Sequence, residues 1–77
     1  MFYVTANYHF TKKRGKAKIL DGGQFCLAIP AKDEDEAEQK AADYVANEGY
    51  IVGDIDVQTE EDALELGLVK EDFTQLN

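Results

Sequence analysis

Cys26 and His9 are the residues with the most reactive side chains in the sequence. Strand alternation predicts Tyr3, Thr5, Asn7 and His9 on one sheet face, and Gln24, Cys26 and Ala28 on the same face of a second strand. A thiol and an imidazole sharing a face are the parts of a nucleophile–base pair, with Asp54 or Asn7 as the orienting group. Catalysis also requires amides that hold an oxyanion. No glycine-rich loop or helix start follows Cys26 to supply them, so a packed thiol and a surface histidine explain the pair better. Asp33, Asp35 and Glu36 have the chemistry of calcium ligands but lack the glycine and terminal glutamate of an EF-hand loop. Asp54 and Asp56 alternate onto one strand face, where acid–base work or plain solvation is open to them. Gly22-Gly23 lacks the Lys-Ser/Thr that completes a phosphate-binding loop. The expectation is a non-enzyme with no catalytic, cofactor-binding or metal-binding residue.

Charge is the most uneven property of the chain. Residues 1–30 hold five Lys/Arg and one Asp, a net +4, while residues 31–77 hold three Lys and fifteen Asp/Glu, a net −12. An acidic field of that size repels nucleic acid and anionic membrane and attracts basic partners, although solubility alone also explains charged faces. The 77 residues make one domain, 1–77, and a core of that size rarely yields more than about 3–5 kcal/mol without a staple. With one cysteine there is no internal disulfide and no cysteine–histidine zinc pattern. Met1-Phe2-Tyr3-Val4 lacks the basic start and apolar run of a signal peptide, and no run approaches a membrane span. These features predict a cytoplasmic protein without membrane contact.

The elements that position these residues are legible from periodicity. Phe2, Val4, Ala6, Tyr8 and Phe10 alternate with polar residues and predict a half-buried strand. Residues 12–18 form a basic stretch, predicted as a loop turning at Gly15, with Ala17 to Leu20 as a short extension. Asp21-Gly22-Gly23 is a second turn signal. Gln24 to Ile29 is the second firm strand, ended by Pro30. Asp33 with Glu36 three residues on opens a helix over 33–48. Ala37, Ala41, Tyr44 and Val45 are its apolar stripe, and Gly49 is its stop. A strand over 50–58 follows, with Ile51, Gly53, Ile55 and Val57 predicted to face the helix and Val52, Asp54 and Asp56 the other side. Thr59 with Asp62 caps an acidic C-terminal helical segment, residues 59–77. Its Leu68, Val69 and Phe73 are expected to be buried on this chain or on a second copy, because large apolar side chains do not normally stand together in water.

These elements predict an α+β fold: a three- to four-stranded, mainly antiparallel sheet with one main helix packed on one face, a ββαβ core and a short C-terminal helix. The crossover through the helix should be right-handed. It makes the second and third strands parallel, with the first between them.

The run Ala31-Lys32-Asp33-Glu34-Asp35-Glu36-Ala37-Glu38-Gln39-Lys40-Ala41, then Gly49-Tyr50 and Asp54-Ile55-Asp56-Val57, resembles small phage- and prophage-encoded αβ proteins. Some of these are anti-CRISPR or other anti-defence inhibitors, acidic and catalytically inert. The resemblance implies a protein that binds and occludes a basic host protein or nucleoprotein complex. Apart from the resemblance, Glu34, Asp35, Glu38 and Asp43 lie outside or beside the apolar stripe and are the expected protein-binding residues. A rigid helix carrying carboxylates suits a basic groove and binds it in a salt-dependent way. Two other readings stand beside this one. One is a structural or regulatory homodimer. The other is a nucleic-acid binder acting through Lys12 to Lys18, against which the acidic remainder of the chain argues.

Overall fold

A computed structural model describes residues 1–76. The chain is α+β. In order, it runs β1 (Phe2–Arg14), β2 (Ala17–Ile29), α1 (Glu34–Asn47), β3 (Ile51–Thr59), α2 (Glu60–Glu65), a 3-10 turn (Lys70–Asp72) and β4 (Thr74–Gln75). The sheet order is β3-β1-β2-β4. β1 is antiparallel to both neighbours, and β4 adds two residues parallel to β2 at Leu27 and Ala28. The first strand therefore lies between two parallel ones, as expected.

The helix starts and stops as its sequence dictates. Asp33 Oδ1 accepts a hydrogen bond from the Glu36 amide at 2.8 Å, and Glu36 Oε1 accepts one from the Lys32 amide at 3.4 Å. At the other end Gly49 has φ +89°, in the left-handed region that costs glycine little. There the Gly49 amide donates to Ala46 O and the Tyr50 amide to Val45 O, which satisfies two of the carbonyls a helix end leaves free. Ala37, Ala41 and Val45 are fully buried against the sheet. Two alanines in that stripe let the helix approach closely, so Val4, Leu27 and Ile29 are sealed beneath it. Burying each of these larger side chains contributes about 1.5–3 kcal/mol.

The hairpin is longer than its turn signals suggest. β1 and β2 stay paired from Phe2↔Ile29 out to Arg14↔Ala17. The expected basic loop is the distal end of this ribbon, with Gly15-Lys16 alone forming the turn. Gly15 has φ +63°, which suits the first central position of a two-residue hairpin turn. Asp21-Gly22-Gly23 is not a turn but part of β2. Gly23 is paired with Tyr8 and Gly22 with His9. A side chain at Gly23 would run into the Tyr8 ring, and one at Gly22 into the Tyr8 carbonyl oxygen. These two glycines serve close approach, not chain reversal.

β3 departs from simple alternation at a bulge. Ala6 pairs with Ile55 but Tyr8 pairs with Val52, so one extra β3 residue sits opposite Asn7. The bulge reverses the faces of the first two residues. Val52 comes onto the helix side with Tyr8. Ile51, expected beneath the helix, pairs with His9 on the opposite side and is exposed. On that opposite face Tyr3, Ala28 and Ala63 form a second small cluster, closed by Phe73, whose ring meets Tyr3 edge-on at 5.2 Å. Leu76 wraps around the β2 edge, its amide donating to Ala28 O at 2.9 Å, and packs against the main core. Phe73 is thus partly buried, whereas Leu68 and Val69, expected to be buried, are exposed on this chain.

Candidate functional site

The α1 carboxylates split between two sides of the helix. Asp35 and Glu38 line a groove between α1 and β3, together with Gln39, Ala42, Val52, Gly53, Asp54 and Ile55, enclosing about 660 Å³. Asp43 stands on the other flank with Lys40, Tyr44, Asn47 and Leu76, and it accepts a hydrogen bond from Gln39 Nε2 at 2.9 Å. Glu34 is exposed in the first turn and lines neither surface. Of the four residues expected to bind a partner, then, two share one site.

Helix geometry explains the split. Asp35, Glu38 and Ala42 succeed one another at spacings of three and four, so they form one row. That row looks over β3, the strand that follows α1 and packs beside it. Asp54, beside the bulge, also borders the groove, and it borders a second hollow with Asn7, His9 and Gly22 as well. Its aspartate chemistry is visible in the sequence, but its place beside the groove that Asp35 and Glu38 line depends on the crossover and the bulge together.

The groove has an acidic rim, a partly apolar floor and an unpaired strand along one side. Asp35, Glu38 and Asp54 are exposed, Val52 is partly exposed and Ile55 half-buried. No lysine or arginine lines it. β3 is an edge strand bonded to β1 alone, so alternate amide and carbonyl groups along its outer side have no strand partner. The ion pairs among the described residues are Lys40–Glu36 at 3.4 Å and Lys70–Glu60 at 3.7 Å, neither of which touches the groove.

The structure keeps Cys26 and His9 apart. Both are on the expected face, but Cys26 pairs with Thr5 while His9 pairs with Gly22. Four residues along a strand span roughly 13 Å, beyond any proton transfer between them. Between these two pairs, Gln24 Nε2 donates to Asn7 Oδ1 at 3.2 Å. Asp33 is engaged as the α1 cap, and Thr59 Oγ1 accepts from the Asp62 amide at 3.1 Å as the α2 cap.

No helix among the described residues is long and apolar enough to cross a membrane. No protein-family model matches the chain, and neither a curated protein nor a solved structure matches it.

Proposed function

We propose that the protein is a small, non-catalytic binding module that takes an extended basic segment of a partner protein into the groove between α1 and β3. The observation that carries this reading is the coincidence of Asp35, Glu38 and Asp54 with the open edge of β3. An added strand would bond its backbone to that edge and alternate its side chains between the floor and the acidic rim. Lysines or arginines at every second position would then meet carboxylates, and apolar residues between them would meet Val52 and Ile55. Occlusion of a basic host surface, the anti-defence role implied by the resemblance to phage-encoded inhibitors, is one concrete form of this function.

A fluorescent peptide of alternating lysine and valine tests the proposal by anisotropy. Binding should fall with salt, and Asp35→Lys with Glu38→Lys should weaken it at least tenfold, while Asp43→Lys on the far flank changes it little. If the double variant keeps the original affinity and salt slope, the groove is not the binding surface.

A homodimer is the second reading, favoured by one observation. Leu64, Leu66 and Val69 are 67%, 62% and 52% exposed within six residues of chain. Sedimentation of the protein and of a Leu64→Glu/Leu66→Glu variant distinguishes a dimer held at this surface from a monomer.

A further inference from the structure

The distal hairpin is a second charged surface of opposite sign, and its two faces differ. Alternation and register place Tyr8, Phe10, Lys12 and Arg14 in one row along β1. Lys13 and Lys18 face each other on the reverse side, and Lys16 is in the turn. All five cations are exposed, and none forms an ion pair with a described residue. The arm therefore does not fold back to neutralise the acidic half. Asp21 is the one acid on the arm, paired across from Phe10, with its carboxylate accepting from the Gly22 amide at 2.8 Å.

At the base of this row the rings form a continuous platform. Tyr8 stacks on Phe25 at 4.6 Å and on Tyr50 at 4.4 Å, and Phe10 lies 6.3 Å from Tyr8 and 5.6 Å from Tyr50. Phe10 and Tyr50 are only half-buried, so the platform ends in open ring surface. The next side chains outward on that face are Lys12 and Arg14 of β1, with Asp21 beside Phe10 and Ile19 and Ala17 beside the two cations on β2. Aromatic faces followed by cations along an extended strand are the combination that holds single-stranded nucleic acid, with bases stacking on rings and phosphates meeting cations.

The acidic body does not prevent this. The molecule is 47 Å long. Seven strand residues separate Tyr8 from Gly15, roughly 23 Å. The first-turn carboxylates of α1 lie a further helix length away, about 20 Å. Fields from exposed charges decay over about 8 Å at physiological ionic strength, so the cations at the tip are screened from the acidic end. Residues on the same strand face repeat at roughly 6.6 Å, so Phe10, Lys12 and Arg14 can follow one extended strand of nucleotides.

We infer that the face formed by Phe10, Tyr50, Lys12 and Arg14 binds single-stranded nucleic acid, with bases on the rings and phosphates on Lys12 and Arg14. The test is fluorescence anisotropy of a labelled twenty-nucleotide oligothymidine with the full chain, against a duplex of equal length. The single strand should bind more tightly than the duplex, and its affinity should fall with salt. Lys12→Gln with Arg14→Gln, at exposed positions that do not contribute to the core, should reduce the log–log salt slope by about 1.4. Phe10→Ala should weaken binding roughly 5- to 150-fold, with circular dichroism checking that the variant stays folded. Absence of oligothymidine binding at low salt overturns the inference. So does equal binding of duplex and single strand with Phe10→Ala unchanged, which would mean charge attraction without stacking. Self-association of the protein that disappears in the Lys12→Gln/Arg14→Gln variant also overturns it, by seating the arm on the acidic body of a second copy.

Discussion

Replacing Gly23 by alanine perturbs the aromatic cluster without removing any of its members. The backbone at Gly23 is not in the left-handed region, so alanine meets no conformational barrier there. In a strand of ordinary surroundings the substitution would stabilise the fold by about 0.4–1 kcal/mol, through a less flexible unfolded chain. Here the new methyl would occupy the space of the Tyr8 ring. The ring must swing away from its two tightest partners, Phe25 at 4.6 Å and Tyr50 at 4.4 Å. Each such pair is worth about 0.5–1.5 kcal/mol beyond its buried area, so the expected net effect is a loss of roughly 1–2 kcal/mol. For a domain of this size that lowers the melting temperature by about 4–16 °C. A double-mutant cycle followed by circular dichroism isolates the cause. With Tyr8→Leu already present, Gly23→Ala should become neutral or stabilising. Gly22→Ala provides the contrast: its methyl would meet the Tyr8 carbonyl oxygen, a backbone atom, so Tyr8→Leu should not rescue it. If Gly23→Ala raises the melting temperature of the unmodified chain, or costs the same with Tyr8→Leu, the ring does not lie over that glycine.

Asp33→Ala removes the α1 cap and should cost about 0.5–2 kcal/mol in urea denaturation, with Asp33→Asn retaining most of the stability. Equal losses for both variants would mean that the 2.8 Å bond to the Glu36 amide contributes nothing. Sixteen side-chain carboxylates against two ion pairs among the described residues leave the folded chain self-repelling, so raising salt from low to physiological should raise the melting temperature. A flat or falling value would show that the acids are already compensated.

Local rules carried much of the fold. The alternation from Phe2 to Phe10, the Asp33 and Thr59 caps and the Gly49 stop each depend on residues within a few positions of one another, and each appears where periodicity places it. The crossover makes β2 and β3 parallel, and the pairing of β1 with both sets the order of the three strands. The departures arise where long-range contacts decide. Gly15 and Gly22-Gly23 are comparable turn signals locally; what selects Gly15 is that Tyr8 and His9 need a cross-strand neighbour without a side chain. The bulge opposite Asn7 has a similar origin. A methyl at Gly53 would crowd the Asn7 carbonyl oxygen and the His9 imidazole, so glycine there permits the close approach that exchanges the faces of Ile51 and Val52. The candidate groove was half legible. Asp35 and Glu38 lie on the helix face that its spacing predicts, but Asp43 is on the far flank, because the helix turns by about 100° per residue and the crossover selects which flank meets β3.

The proximity of the two proposed sites determines the conditions under which they act separately. Asp54, on the rim of the groove, is level with Asn7 in β1, and Lys12 is five strand residues further out, roughly 17 Å away. At physiological salt this is about two screening lengths, so the groove and the arm present opposite fields to their partners with little mutual cancellation. At ten-millimolar salt the screening length grows to about 30 Å and covers the whole distance. There each site dampens the attraction of the other: the acidic rim weakens the hold of the arm on phosphate, and the arm weakens the hold of the rim on lysine. Neutralising Lys12 and Arg14 should therefore strengthen capture of the basic peptide at low salt and leave it unchanged at physiological salt. A chain of net charge −8 can then present fields of either sign, because its five arm cations are held away from most of its carboxylates by the length of a two-stranded ribbon.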